Sequence, residues 1–148
     1  MPGSATVTID TTSWRVSIAS TPAELAQGLG GISSLPEGWG MLFDLGYTRQ
    51  VTVTTRPMLF DLDIVFLDDD LRVSGVFGNV PPDREITTEC RYFLEVNAGE
   101  AAGVELGDQA QVVCQPAELT EPVSIELAVS ILSVMMVTAA GLSALAKQ

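Results

Sequence analysis

Apolar and polar residues alternate over positions 5–10 and again over 14–18, the two-residue period of strands with one wet face. Thr11-Thr12-Ser13 between them predicts a tight turn, and so a β-hairpin. The period then changes. Thr21 can cap a helix, Pro22 suits its first position, and Glu24 stands three residues after the cap, where a capping box needs it. Gly28, Gly30 and Gly31 limit that helix to two turns, and Leu35-Pro36-Glu37-Gly38 predicts a loop. A short buried strand is expected over 40–43 and a β-rich one over 50–55. The continuous apolar run 62–67 has the character of a central strand, buried on both faces.

Three aspartates, Asp68-Asp69-Asp70, separate that run from another strand over 71–77. Aspartate suits turns, and a cation would need further ligands from elsewhere, so a solvated hairpin turn is expected and no metal site. The prolines of Asn79-Val80-Pro81-Pro82-Asp83 predict an extended segment. A strand over 91–96, a single helical turn over 99–102 ended by Gly103, and a turn at Gly107-Asp108 into a strand over 111–113 complete the pattern. Eight or so strands with short helices predict an α+β, mainly β fold built on a small barrel-like antiparallel or mixed sheet.

Composition narrows the function. The 148 residues carry 19 acids against 7 bases, a net charge of −12. The six arginines are scattered singly and the one lysine is Lys147, so no basic patch exists and no nucleic-acid partner is expected. Histidine is absent, which removes the commonest general base and the commonest metal ligand together. Cys90 and Cys114 lack the spacing of a redox pair or a zinc site. They are expected as buried reduced thiols, and a disulfide would require their strands to be neighbours. The N-terminus has no basic start and no apolar stretch, so no secretory signal is expected.

In series, several of these segments resemble the family known as domain of unknown function 192. The resemblance rests on Thr21-Pro22-Ala23-Glu24-Leu25-Ala26-Gln27-Gly28-Leu29, Leu35-Pro36, Gly40-Met41-Leu42-Phe43, Leu62-Asp63-Ile64-Val65-Phe66-Leu67-Asp68, Asn79-Val80-Pro81-Pro82, Tyr92-Phe93-Leu94-Glu95-Val96-Asn97-Ala98-Gly99 and Gly107-Asp108. It covers the chain from about Trp14 to Val113. It implies a small closed β structure flanked by short helices, and no particular activity. One stretch departs. Where the family shows tryptophan, methionine, lysine, asparagine and threonine in succession, this chain has Thr54, Thr55, Arg56, Pro57 and Met58. Only the positive charge survives, at Arg56, so a family surface there would be lost or changed in this member.

Three functional readings follow. Residues 127–146 carry no charge, and Leu127, Ile131 and Met135 lie among apolar residues distributed all round a helix that Pro122 and Ser124 would start. Ala139 with Ser143 and Ala140 with Ala144 are small residues four apart, which permit close helix approach. As a helix of about 30 Å the segment matches a bilayer core. The expected division is a β domain over 1–116, a linker over 117–124 and an apolar helix over 125–148. The leading expectation is a non-enzymatic accessory or structural subunit. Its helix would bind other subunits, its own copies or a lipid bilayer, placing it at a membrane or in a large assembly with no cofactor. The second is a small polar-ligand-binding domain with Arg56, Asp63 and Glu95 on one cavity, Arg56 pairing with Glu95. The third is a hydrolase using Asp61 and Asp63, which share a strand face about 7 Å apart.

Overall fold

The alternation at the start of the chain does form a hairpin. β1 (Gly3–Ile9) runs antiparallel to β2 (Thr12–Ala19), with Ile9 opposite Thr12. Asp10 and Thr11 alone make the turn, which is tighter and earlier than expected, and Asp10 takes the positive φ of 52° that such turns need. The computed structural model describes residues 3–116. The sequence signals for α1 (Pro22–Gln27) are all used: Thr21 Oγ1 accepts from the Glu24 N–H, while the Glu24 carboxylate accepts from the Thr21 N–H. This helix carries the chain back so that β3 (Trp39–Thr54) lies parallel to β2, which makes the sheet mixed.

β3 runs for 16 residues and joins the two strands expected over 40–43 and 50–55. The polar stretch between them is a bulge: Asp44 faces Tyr92 and Arg49 faces Cys90, so residues 45–48 stand opposite Arg91 alone. Gly46 turns the chain at φ 85°, and the Asp44 carboxylate accepts from its N–H. β4 (Leu62–Leu67), β5 (Val73–Val80), β6 (Glu85–Asn97) and β7 (Ala110–Cys114) complete the order β5-β4-β6-β3-β2-β1-β7. All six residues of β4 are buried, as its apolar run predicts. Leu62, Ile64 and Phe66 enter one apolar cluster, Val65 and Leu67 the other.

The structure is mainly β, but the sheet is open. Its edges meet only at one corner, where Arg72 and Gln109 form an isolated bridge, the Val73 N–H donates to Asp108 O at 2.9 Å and the Gly107 N–H to Val73 O at 2.8 Å. With five residues, β7 is too short to pair along β5 and close the expected barrel. The predicted helical turn over 99–102 is instead a run of turns, because Gly99 takes φ 91° and leaves the helical region. The expected extended segment over 79–83 is interrupted by positive φ at Asn79 (52°) and Asp83 (63°). The aspartate turn forms: the Asp68 carboxylate accepts from the N–H groups of Asp70 and Arg72.

Both cysteines are free, but only Cys90 is buried; Cys114 is exposed. Three strands separate β6 from β7, so the two thiols do not meet. Among the described residues no helix is long and apolar enough to cross a membrane. The predicted apolar helix over 125–148, with Leu127, Ile131, Met135, Ala139, Ala140, Ser143 and Ala144, lies outside the described residues.

Candidate functional site

Glu95 lies near the end of β6, two residues before Asn97, flanked by Met41 of β3 and Ile64 of β4. Alternation along β6 turns it to the same side as Phe93, which stacks on Phe43 with ring centroids 4.2 Å apart. Glu95 is 5 % exposed, and among the described residues no hydrogen bond or charge partner reaches its carboxyl. Burial without compensation pushes its pKa up to about 8. A buried polar group left in this state costs on the order of 1–3 kcal/mol, so its presence calls for an explanation.

That carboxyl borders a cleft of about 280 Å³. One wall is α1 and the loop that follows it, where Leu29 is buried and Gly28 approaches the Phe43 ring so closely that a Cβ there would lie 3.2 Å from it. The opposite wall is the second half of β3 with Pro57 and Met58. Among the described residues only two ionisable side chains line the cleft, Glu95 and Arg49. The β3 bulge sets Arg49 there. Its Nε is buried with no hydrogen-bond partner among the described residues, while its guanidinium carbon lies 5.5 Å from the Tyr47 ring centroid. Opposite Arg49, burial pushes the Cys90 thiol up to about 11 and so away from reactivity. A second, more open depression lies between β5 and residues 104–106, with Glu105 its one charged member.

The three residues expected to share a cavity are dispersed. Arg56 is exposed and donates to Asp83 at 3.3 Å and Glu85 at 3.5 Å, with 72 % of its side chain in solvent, and it does not pair with Glu95. Its neighbour Thr55 is buried, its hydroxyl donating to Pro81 O and accepting from the Arg84 N–H. Asp63 is a structural tie: Oδ1 accepts from the Asn79 N–H, and Oδ2 from those of Gly99 and Ala101, all at 2.9 Å. Asp61 is exposed while Asp63 is buried, so the two carboxylates do not form the expected pair. Of the three, Glu95 is the one that lines the cleft. Among the described residues, no three His, Cys, Asp or Glu side chains come together as a metal site.

The Asp63 tie, the Glu95 strand and most of the sheet lie within residues 5–112, which match the family model described as DUF192, uncharacterized ACR. The chain belongs to DUF192. A similar solved structure comes from Sinorhizobium meliloti 1021, a protein proposed to be a transcription regulator. It is 28% identical, has a TM-score of 0.71, and the match covers 75% of this chain and 95% of that one. Another is a protein of unknown function from Novosphingobium aromaticivorans DSM 12444, 32% identical with a TM-score of 0.65, covering 73% of this chain and 83% of that one. No curated protein matches the chain. Within the DUF192 domain, the stretch that the sequence resemblance singles out as a departure borders the cleft: Thr54, Pro57 and Met58 all line it. That departure was a sequence signal for its location. Arg49 gave none, since the strand expected there begins at Gln50.

Proposed function

We propose that this domain binds a small molecule in the cleft between α1, the second half of β3 and the turn at Pro57 and Met58. The observation that carries the reading is the Glu95 carboxyl, buried, unpartnered among the described residues and open to the cleft. A ligand that hydrogen-bonds it would remove the penalty of burying it, and the apolar walls would cover the ligand's body. About 280 Å³ lies just below the usual range for ligand pockets, which points to a ligand of fragment size.

Binding is favoured over catalysis because acid-base work needs a second poised group. Asp63 is engaged by three N–H groups, and Asp61 is exposed. The Sinorhizobium relative is described as a proposed transcription regulator, and direct binding of nucleic acid by this chain gains no support from a net charge of −12. The accessory-subunit reading, with protein or lipid partners and a membrane or assembly location, rests on the composition of residues 125–148. Deleting those residues and comparing mass in solution and in detergent tests it.

Calorimetry of the full chain against small carboxylates, amines and neutral amides tests the cleft. At least one class should bind, and Glu95→Leu, which fills the site with an apolar side chain, should abolish that heat. Binding unchanged in Glu95→Leu would refute the assignment.

A further inference from the structure

The sheet gives β5 a neighbouring strand on one side only, β4. At its start the other side is occupied, because the Val73 N–H donates to Asp108 O and the Gly107 N–H to Val73 O. Over residues 74–78 that side is open: among the described residues their backbone makes no hydrogen bond beyond the ladder with β4. Such a row of donors and acceptors is a template for one more strand. Nothing in its composition discourages one, since Ser74-Gly75-Val76-Phe77-Gly78 has neither charge nor proline. The template is short, because pairing with β4 is regular over 75–77 and shifts register on either side.

The edge is also apolar. Val76 packs against the cluster that holds Val73 and Val104, while Phe77 meets the Phe66 ring edge-on at 5.7 Å in the other cluster. Successive side chains therefore address opposite faces, as those of an added strand would. Leu106, 71 % exposed, and Phe77, 42 % exposed, line the depression beside it. This surface shares no lining residue with the Glu95 cleft.

We propose that β5 takes up a short extended peptide segment of another protein, apolar at its centre and basic at one end. Charge selects that partner. Gln109 Nε2 donates to Asp70 O and Leu71 O, which joins the turns at the start of β5. Residues 68–72 and 105–109 carry Asp68, Asp69, Asp70, Glu105 and Asp108 against one base, Arg72. Asp70 and Glu105 are exposed and form no ion pair among the described residues. Antiparallel addition, the more stable pairing, puts the C-terminal end of the peptide at this acidic corner. A second copy fits less well: each chain carries a charge of −12, and so short an edge offers little to offset the repulsion.

Nuclear magnetic resonance on the full chain tests this with three capped peptides. The first is threonine-valine-isoleucine-valine-threonine-lysine, the second ends in glutamate instead, and the third has proline for isoleucine, which removes a donor without changing the protein. The lysine peptide should shift the amide resonances of residues 74–78 saturably and slow exchange of their outward-facing N–H groups by about tenfold or more. The glutamate peptide should bind about fivefold more weakly in low salt, a gap that closes in high salt. The proline peptide should not bind. Leu106→Lys, at an exposed position, should cost about tenfold in affinity, and Glu105→Lys should erase the preference for lysine. Absence of shifts at 74–78, or shifts confined to other residues, would overturn the edge as a docking site. Equal affinity for the lysine and glutamate peptides in low salt would overturn the basic partner. A doubled mass in solution that Leu106→Lys abolishes would make a second copy the occupant. Slow exchange of the same N–H groups in the peptide-free monomer would show an edge already covered by the chain itself, and either result overturns the proposal.

Discussion

Two buried carboxyl groups lie on neighbouring strands, and they have opposite surroundings. Asp63 on β4 is 2 % exposed and accepts three backbone N–H groups from the Asn79 and Gly99–Ala101 turns. Glu95 on β6 is 5 % exposed and, among the described residues, accepts none. Burial is nearly equal, so burial does not separate their roles. Hydrogen-bond satisfaction does: the first carboxylate joins loops to the sheet, and the second faces a cleft with its capacity unused. A buried polar group that the fold does not satisfy marks a place where something outside the fold is expected to satisfy it.

The comparison breaks first at Asp63. Asp63→Asn halves the acceptor capacity and removes the charge that three donors address, and should lower stability by about 3–5 kcal/mol in denaturant unfolding. Loss below about 1 kcal/mol would mean that the tie is not needed.

The pH dependence comes next. The folded chain keeps the Glu95 proton up to about pH 8, whereas the unfolded chain releases it near the ordinary 4.5. Between those values the folded state binds more protons, so this group's contribution is complete below pH 4.5 and is lost as pH rises toward 8. Unfolding free energy should fall by a few kcal/mol from pH 5 to pH 9, and Glu95→Gln should remove most of that slope.

At fixed pH 7.5 the same substitution should stabilise the apo protein by about 1–3 kcal/mol, because the amide carries no charge to suppress on folding. The two acids would then respond with opposite signs. A destabilised Glu95→Gln would show instead that Glu95 has a structural partner. The smallest effect is expected at Arg56, whose exposed ion pairs are worth little. Arg56→Ala should change stability by less than about 0.5 kcal/mol and leave ligand heat unchanged.

Local signals carried much of this fold. The Thr21–Glu24 capping box, the aspartate turn and the fully apolar β4 depend on neighbours within a few residues, and each formed as its pattern predicts. The β3 bulge did not declare itself. Asp44, Gly46, Thr48 and Arg49 have the composition of a connection, yet pairing with the long β6 keeps them within one strand. Openness of the sheet was equally hidden, since it depends on how far β7 extends beside a strand distant in sequence.

At the site, Glu95 could be singled out because an acid inside an apolar strand is conspicuous. Arg56 misled for a physical reason: its one surviving charge in a departing stretch suggested a partner for Glu95, but the Asp83 and Glu85 carboxylates are nearer and wet. Arg49 was invisible, because a bulge rather than a periodicity aims it.

The role of the cleft depends on the protonation state of one side chain, Glu95. A carboxyl ¹³C titration of Glu95 in the full chain, assigned by its loss in Glu95→Gln, measures that state directly. The midpoint should lie near 8. A midpoint near the ordinary 4.5 would show an ionised, solvated or partnered carboxylate, and the cleft would lose the feature that marks it as a site.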